Sequence, residues 1–106
     1  MTKTTESPGP TAPEHLSIRA RSLWDELIPR AQTSGRRVLL QTALEALDRA
    51  DQARQMIAAE GLVSRTKATG VVRIHPAAKI EREARADFTK IWTTLGFARQ
   101  GYTHVG

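Results

Sequence analysis

The sequence predicts a mainly helical fold, and three observations carry that prediction. Apolar residues recur at helical spacing in three stretches. Helix-opening prolines (Pro13, Pro76) and helix-ending glycines (Gly61, Gly96) bound those stretches. β-Branched runs are confined to two short segments around a polar, glycine-ended turn. The expected architecture is a long helical hairpin, a short β-hairpin and a third, C-terminal helix. At 106 residues the chain holds one small domain.

Residues 1–12 are mostly Thr, Ser, Pro and Gly, too poor in apolar surface to offset their ordering entropy, and are expected to form a disordered arm. The folded domain is expected over 13–97 and a flexible tail over 98–106. In the first helix Thr11 or Ala12 precedes Pro13 at the first helical position, and Glu14 suits the positive end of the dipole. Leu16, Ala20, Leu23, Trp24, Leu27 and Ile28 form its stripe, and Pro29 ends or kinks it before Thr33-Ser34-Gly35.

The second helix is expected from near Arg36, with Ser34 as cap, to Gly61: about 25 residues, or ~37 Å at ~1.5 Å each. Leu40, Ala43, Leu44, Leu47, Ala50, Ile57 and Ala58 make one stripe, interrupted by Arg54, beside a strip of small residues at Ala43, Ala46, Ala50 and Ala53. Two packing faces imply two neighbours. Leu62-Val63 and Val71-Val72-Arg73-Ile74 then flank the turn Ser64 to Gly70 as a hairpin, which is marginally stable in isolation. Pro76 opens the third helix with His75 flanking it; Ala77, Ile80, Ala84, Phe88, Ile91, Trp92 and Leu95 form its stripe.

Composition removes several functions. The start lacks the apolar core of a signal peptide, and the longest apolar run, Met56 to Ala59, is far below the ~20 residues that cross a bilayer, so the chain reads as soluble and intracellular, with no membrane partner. There is no cysteine, and His15, His75 and His104 are too scattered for a metal cluster, so no metal or cofactor is expected. No nucleophile motif or phosphate loop occurs, and the pairs Asp25/Glu26 and Glu81/Glu83 fall on solvated helix faces; an enzyme is not expected. Trp24 and Trp92 lie on apolar stripes and read as core, not as stacking platforms.

The formal charge of +5 is unevenly placed. Residues 38–61 set Arg49 and Arg54 against Glu45, Asp48, Asp51 and Glu60, whereas residues 62–82 set Arg65, Lys67, Arg73, Lys79 and Arg82 against Glu81 alone. No acid occurs from Leu62 through Ile80, which a merely solvated loop does not require. Arg65, Lys67, Arg73 and Lys79 are therefore candidate DNA contacts. Arg36 and Arg37 join them because they open the second helix, where the dipole disfavours cations unless phosphate or an acid faces them. So short a chain buries a modest fraction of its surface, and the second apolar face of the long helix, with Ile18, Val38 and Leu39, offers area for association. After Gly96, Phe97, Tyr102 and Val105 are candidate anchors for a partner groove; the alternative folds Phe97 back on the end of the third helix.

The order of elements, with Leu23-Trp24-Asp25-Glu26-Leu27-Ile28-Pro29, a long helix ending Ala59-Glu60-Gly61-Leu62-Val63, a hairpin containing Gly70, His75-Pro76-Ala77-Ala78-Lys79-Ile80 and a helix closing Leu95-Gly96-Phe97, resembles the small terminase subunit of tailed phages and prophages, the P-twenty-seven family. The similarity covers roughly residues 16–97. Family members usually carry Asn where this chain has His75, and a Thr-Pro-Ser-Arg-like stretch where it reads Phe97-Ala98-Arg99-Gln100-Gly101. The resemblance implies a non-enzymatic, ring-forming protomer in the host bacterial cytoplasm. It would bind double-stranded viral DNA near the packaging start and deliver it to the large terminase subunit, which holds the ATPase and nuclease. The competing classes are a head-completion or adaptor oligomer, which does not need an acid-free hairpin, and a small DNA-binding regulator, whose helix-turn-helix wants helices about half as long as the second helix.

Overall fold

The computed structural model describes residues 10–65 and 70–97, with backbone alone at Ser64 and Arg65. In chain order they form α1 (Ile18–Leu27), a 3-10 turn (Ile28–Arg30), α2 (Ser34–Glu60), β1 (Val63–Arg65), β2 (Val72–Ile74) and α3 (Pro76–Leu95). The mainly helical class and the element order match the expectation, while two helix starts differ. α1 begins at Ile18 and not at Pro13, because the Ser17 hydroxyl accepts from the Ala20 N–H at 3.1 Å and fixes the first turn there. Residues 13–16 form a separate turn closed by the Leu16 N–H on the Pro13 carbonyl. α2 begins two residues before Arg36, since Thr33, rather than Ser34, accepts the Arg36 N–H.

α2 is the axis, and its two apolar faces take the two neighbours expected of them. α3 returns antiparallel along the small-residue strip: Arg36 reaches the Leu95 carbonyl, Arg49 pairs with Asp87, Arg54 with Glu81 and Glu60 with His75, in that order down the helix. Ala43, Ala46, Ala50 and Ala53 are buried along this seam, as are Ala77 and Ala84 of α3. Side chains this small let helix axes approach toward the near end of the ~8–10 Å range. The second face of α2 is thus covered by the chain's own α3 and is not the free surface for association that the periodicity alone offered. The other face, Leu40, Leu44 and Leu47, meets Leu16, Ala20, Trp24, Leu27 and Ile28, and the end of α3 closes this cluster with Leu95 and Phe97. Phe88, Trp92 and Phe97 pack in series, the first pair tilted and the second edge-to-face, with ring centroids 4.9 and 5.0 Å apart.

Polar clamps seat α1. The nearly buried Asp48 accepts from both the N–H and the hydroxyl of Ser17, at 2.8 and 2.6 Å, while that hydroxyl caps α1. Arg19 pairs with Asp51 at 3.0 Å, and His15 Nε2 lies 2.7 Å from Glu45. The Gln41 amide, donating to Glu45, and the His15 ring hold that carboxyl below its usual range against partial burial. The stability this contact adds is present at neutral pH and is lost as pH falls through the lowered value. The Trp24 indole N–H donates to the Pro10 carbonyl at 2.9 Å and Ala12 is buried, so residues 10–12, expected to belong to the arm, pack on the domain; residues 1–9 lie outside the described residues.

Removing the Asp48 carboxylate strands a helix cap as well as two donors. We expect Asp48→Ala to lower unfolding free energy by about 2 kcal/mol in urea titrations, and Asp48→Asn, which keeps one acceptor, by roughly half that.

Candidate nucleic-acid interface

The last turn of α2 and the first of α3 are already adjacent: the Gly61 N–H closes on Ile57, Gly61 adopts φ +90°, and the His75 N–H donates to the Leu62 carbonyl at 2.7 Å. Antiparallel neighbouring helices are usually joined by about 2–8 residues. Here Gly61 to His75 intervenes, and the surplus forms an antiparallel ribbon with Val63 opposite Ile74, Ser64 opposite Arg73 and Arg65 opposite Val72. Strand alternation puts Val63, Val72 and Ile74 on one face and Arg73 on the other. All of β2 is exposed, and the two strands pack chiefly on each other. The connection is an arm standing off the end of the helical body.

The arm is cationic. Arg73 is exposed and has no carboxylate partner among the described residues, and Lys79, at the start of α3, has only a long 3.9 Å pair with Glu83. Arg65 sits at the end of β1, and Lys67 lies outside the described residues. One turn beyond Lys79 the outward face of α3 continues with Arg82 and, two turns on, Lys90, both exposed and without an ion pair among the described residues. Arg82 counts in the sequence only toward the charge of residues 62–82, and Lys90 lies beyond that stretch; spacing on the face opposite Ala77, Ala84 and Leu95 is the signal that identifies both as part of the patch.

Arg36 and Arg37 do not join that patch. They stand at the opposite end of α2, which at ~1.5 Å per residue over 27 residues is about 40 Å long. Arg36 donates to the Leu95 carbonyl at 2.7 Å and to the Arg30 carbonyl at 3.0 Å, closing an orphan carbonyl at the end of α3. Arg37 donates to the Gln32 carbonyl at 3.1 Å. Arg30 lies over the Phe97 ring at 4.5 Å, with Arg36 at 5.9 Å. Of the three tail residues expected to anchor a partner, Phe97 is 1% exposed and folds back on the end of α3, because Gly96 takes the left-handed conformation (φ +84°) that turns the chain inward. Tyr102 and Val105 lie outside the described residues.

An open cleft of about 540 Å³ at the base of the arm is lined by Glu60, Gly61, Arg73, Ile74, His75 and Pro76. His75 is its structural member: Nδ1 accepts the Ala77 N–H at 2.9 Å and Nε2 lies 2.7 Å from Glu60. Accepting at Nδ1 assigns the proton to Nε2, which donates to the carboxylate, so the ring caps α3 and ties it to the end of α2. This is a cap's work, and no group of three or more metal-ligating side chains occurs among the described residues. We expect His75→Asn, which preserves a capping oxygen, to stay within a few tenths of a kcal/mol of wild type in thermal unfolding, and His75→Ala to lose about 1 kcal/mol.

A family model described as phage terminase, small subunit, matches residues 20–101. Among curated proteins, and among solved structures, no match was found.

Proposed function

Since the chain belongs to the phage terminase small-subunit family, we propose that it is the non-catalytic DNA-recognition subunit of a genome-packaging machine, acting as a homo-oligomeric ring in the host bacterial cytoplasm. It binds double-stranded viral DNA and presents it to the large terminase subunit, which supplies the ATPase and nuclease. The observation that carries this reading is the acid-free arm that projects from the helical body, continued by Lys79, Arg82 and Lys90 along α3. Phosphate contacts need cations held clear of competing carboxylates, and an arm longer than the connection requires delivers them. Arg65, Lys67, Arg73 and Lys79 make the principal contacts; Arg36 and Arg37, whose guanidinium groups are taken up by backbone carbonyls at the far end of α2, are left out of the contact set. A subunit of this kind acts by raising the effective concentration of DNA at the motor and fixing its orientation.

In duplex-DNA titrations across salt concentration, Arg73→Ala combined with Lys79→Ala and Arg82→Ala should weaken binding at every salt and reduce the log–log slope by roughly 0.9 per contact removed. An unchanged affinity and slope with the protein folded would move the DNA surface off the arm.

Tyr102 and Val105 are proposed to anchor the large subunit, and Phe97's burial dictates where to cut. Truncation after Phe97 should keep fold, oligomer and DNA binding while losing stimulation of the cognate large subunit's DNA-dependent ATPase. Truncation after Gly96 removes a core ring and should cost about 3 kcal/mol as well. Full stimulation by the first variant would place the docking segment elsewhere.

A further inference from the structure

The largest feature that DNA binding does not use is apolar. Leu62, Val63, Val71, Val72, Ile74 and Ile80 are all about half exposed or more, and they lie within one short segment. Val63, Val72 and Ile74 share the face of the ribbon opposite Arg73, with Ile74 66% exposed. Among the described residues each strand has one partner and one open edge. A two-stranded ribbon is marginally stable alone, and an exposed aliphatic face beside open strand edges invites a cover. A duplex suits the Arg73 face; Val63, Val72 and Ile74 offer phosphate nothing, and Arg65, paired opposite Val72 in the register, borders the apolar face at the far end of the ribbon.

We infer that this apolar face seats on the outer face of α1 of a second copy of the chain. Charge selects the acceptor. The segment from Leu62 through Ile80 is wholly cationic, so two such ribbons face to face would set like charges together. Among the described residues, Glu14, Asp25 and Glu26 are the carboxylates with no ion pair and no side-chain hydrogen bond. All three flank or lie on α1, whose own cations are engaged, Arg19 by Asp51 and Arg21 by the Leu16 and Glu14 carbonyls, and on its outer face Ile18 is 82% exposed, the most exposed large hydrophobic residue among those described. Ile18 and Asp25 are two helical turns apart, ~10 Å, which matches the ~10 Å length of a three-residue strand. The donor and acceptor surfaces are different parts of the protomer, so the contact is head-to-tail, and repetition of it generates a closed ring if the rotation closes. The inference rests on the homo-oligomer proposed above and assigns its interface.

The experiment uses the full chain, with mass by light scattering, fold by circular dichroism and DNA retention on a generic duplex. Two variants touch only exposed positions: Ile74→Asp in the arm and Ile18→Lys on α1. Each should weaken assembly at least tenfold and run as the 11.7 kDa monomer at concentrations where wild type is oligomeric. Mixed one to one, they should form a two-chain species, because the Ile74→Asp chain keeps an intact α1 face and the Ile18→Lys chain an intact arm. Wild-type mass in either variant alone, or no association in the mixture, overturns the interface while leaving the ring reading standing. Ile74→Asp protein that keeps its mass but loses DNA retention overturns it in favour of a DNA contact. Monomeric wild type at every concentration removes the ring reading together with the interface.

Discussion

Everything in this protomer depends on how closely α3 can lie against α2. The strip Ala43, Ala46, Ala50 and Ala53 on one side, with Ala77 and Ala84 on the other, removes the side-chain bulk that would hold the two helices apart. Little apolar area is buried per alanine, so the seam gains from the continuity of close contact and from ties at intervals along it: Arg36 at one end, Arg49 and Arg54 between, His75 at the other. The large residues are segregated to the half where α1 joins, and there Trp24, Leu40, Leu44 and Phe97 lie buried with Leu16, Leu27, Ile28, Leu47 and Leu95 in one hydrophobic cluster.

That division of labour explains where the functional surface falls. The large-residue end must be closed, and the chain closes it in part with groups that read in sequence as partner contacts: Phe97 fills it, and Arg36, together with Arg30, covers the ring. The other end, capped by Gly61 and His75, has no comparable core to complete. Its connection is free to lengthen into an arm without disturbing the seam, since loop-closure entropy grows only slowly with length. Strand alternation gives an arm so placed Arg73 on one face and Val63, Val72 and Ile74 on the other, with Arg65 paired opposite Val72 at its far end.

The polar ties around α1 serve register. α1 is only 10 residues long and carries no capping box, so its position on α2 is set by side chains that span the interface. Ser17 both caps α1 and bonds Asp48, which couples forming the helix to docking it. A substitution that loosened Asp48 would release the helix start and its position together.

Much of this was legible in the order of residues. Gly61, Pro76 and Gly96 announce helix ends through backbone constraints that act locally, and the recurrence of apolar residues at helical spacing announces three helices whatever they pack against. The acid-free stretch from Leu62 through Ile80 is likewise a property of the chain alone. Where a helix has more than one possible start, as α1 does before Pro13 and at Ser17, local preference does not choose, and the carboxylate of Asp48, 31 residues from Ser17, does. Arg36 looks in sequence like a cation waiting for phosphate, and only the antiparallel return of α3 brings the Leu95 carbonyl to it. Phe97 reads as an anchor until Gly96 turns it inward onto Trp92. The sequence by itself determined the elements, their ends and the location of the charge, because those follow from interactions within a few residues. Which cations are occupied and which apolar face is left bare were decided only by the tertiary structure, because they depend on what residues 30 to 60 positions distant bring alongside.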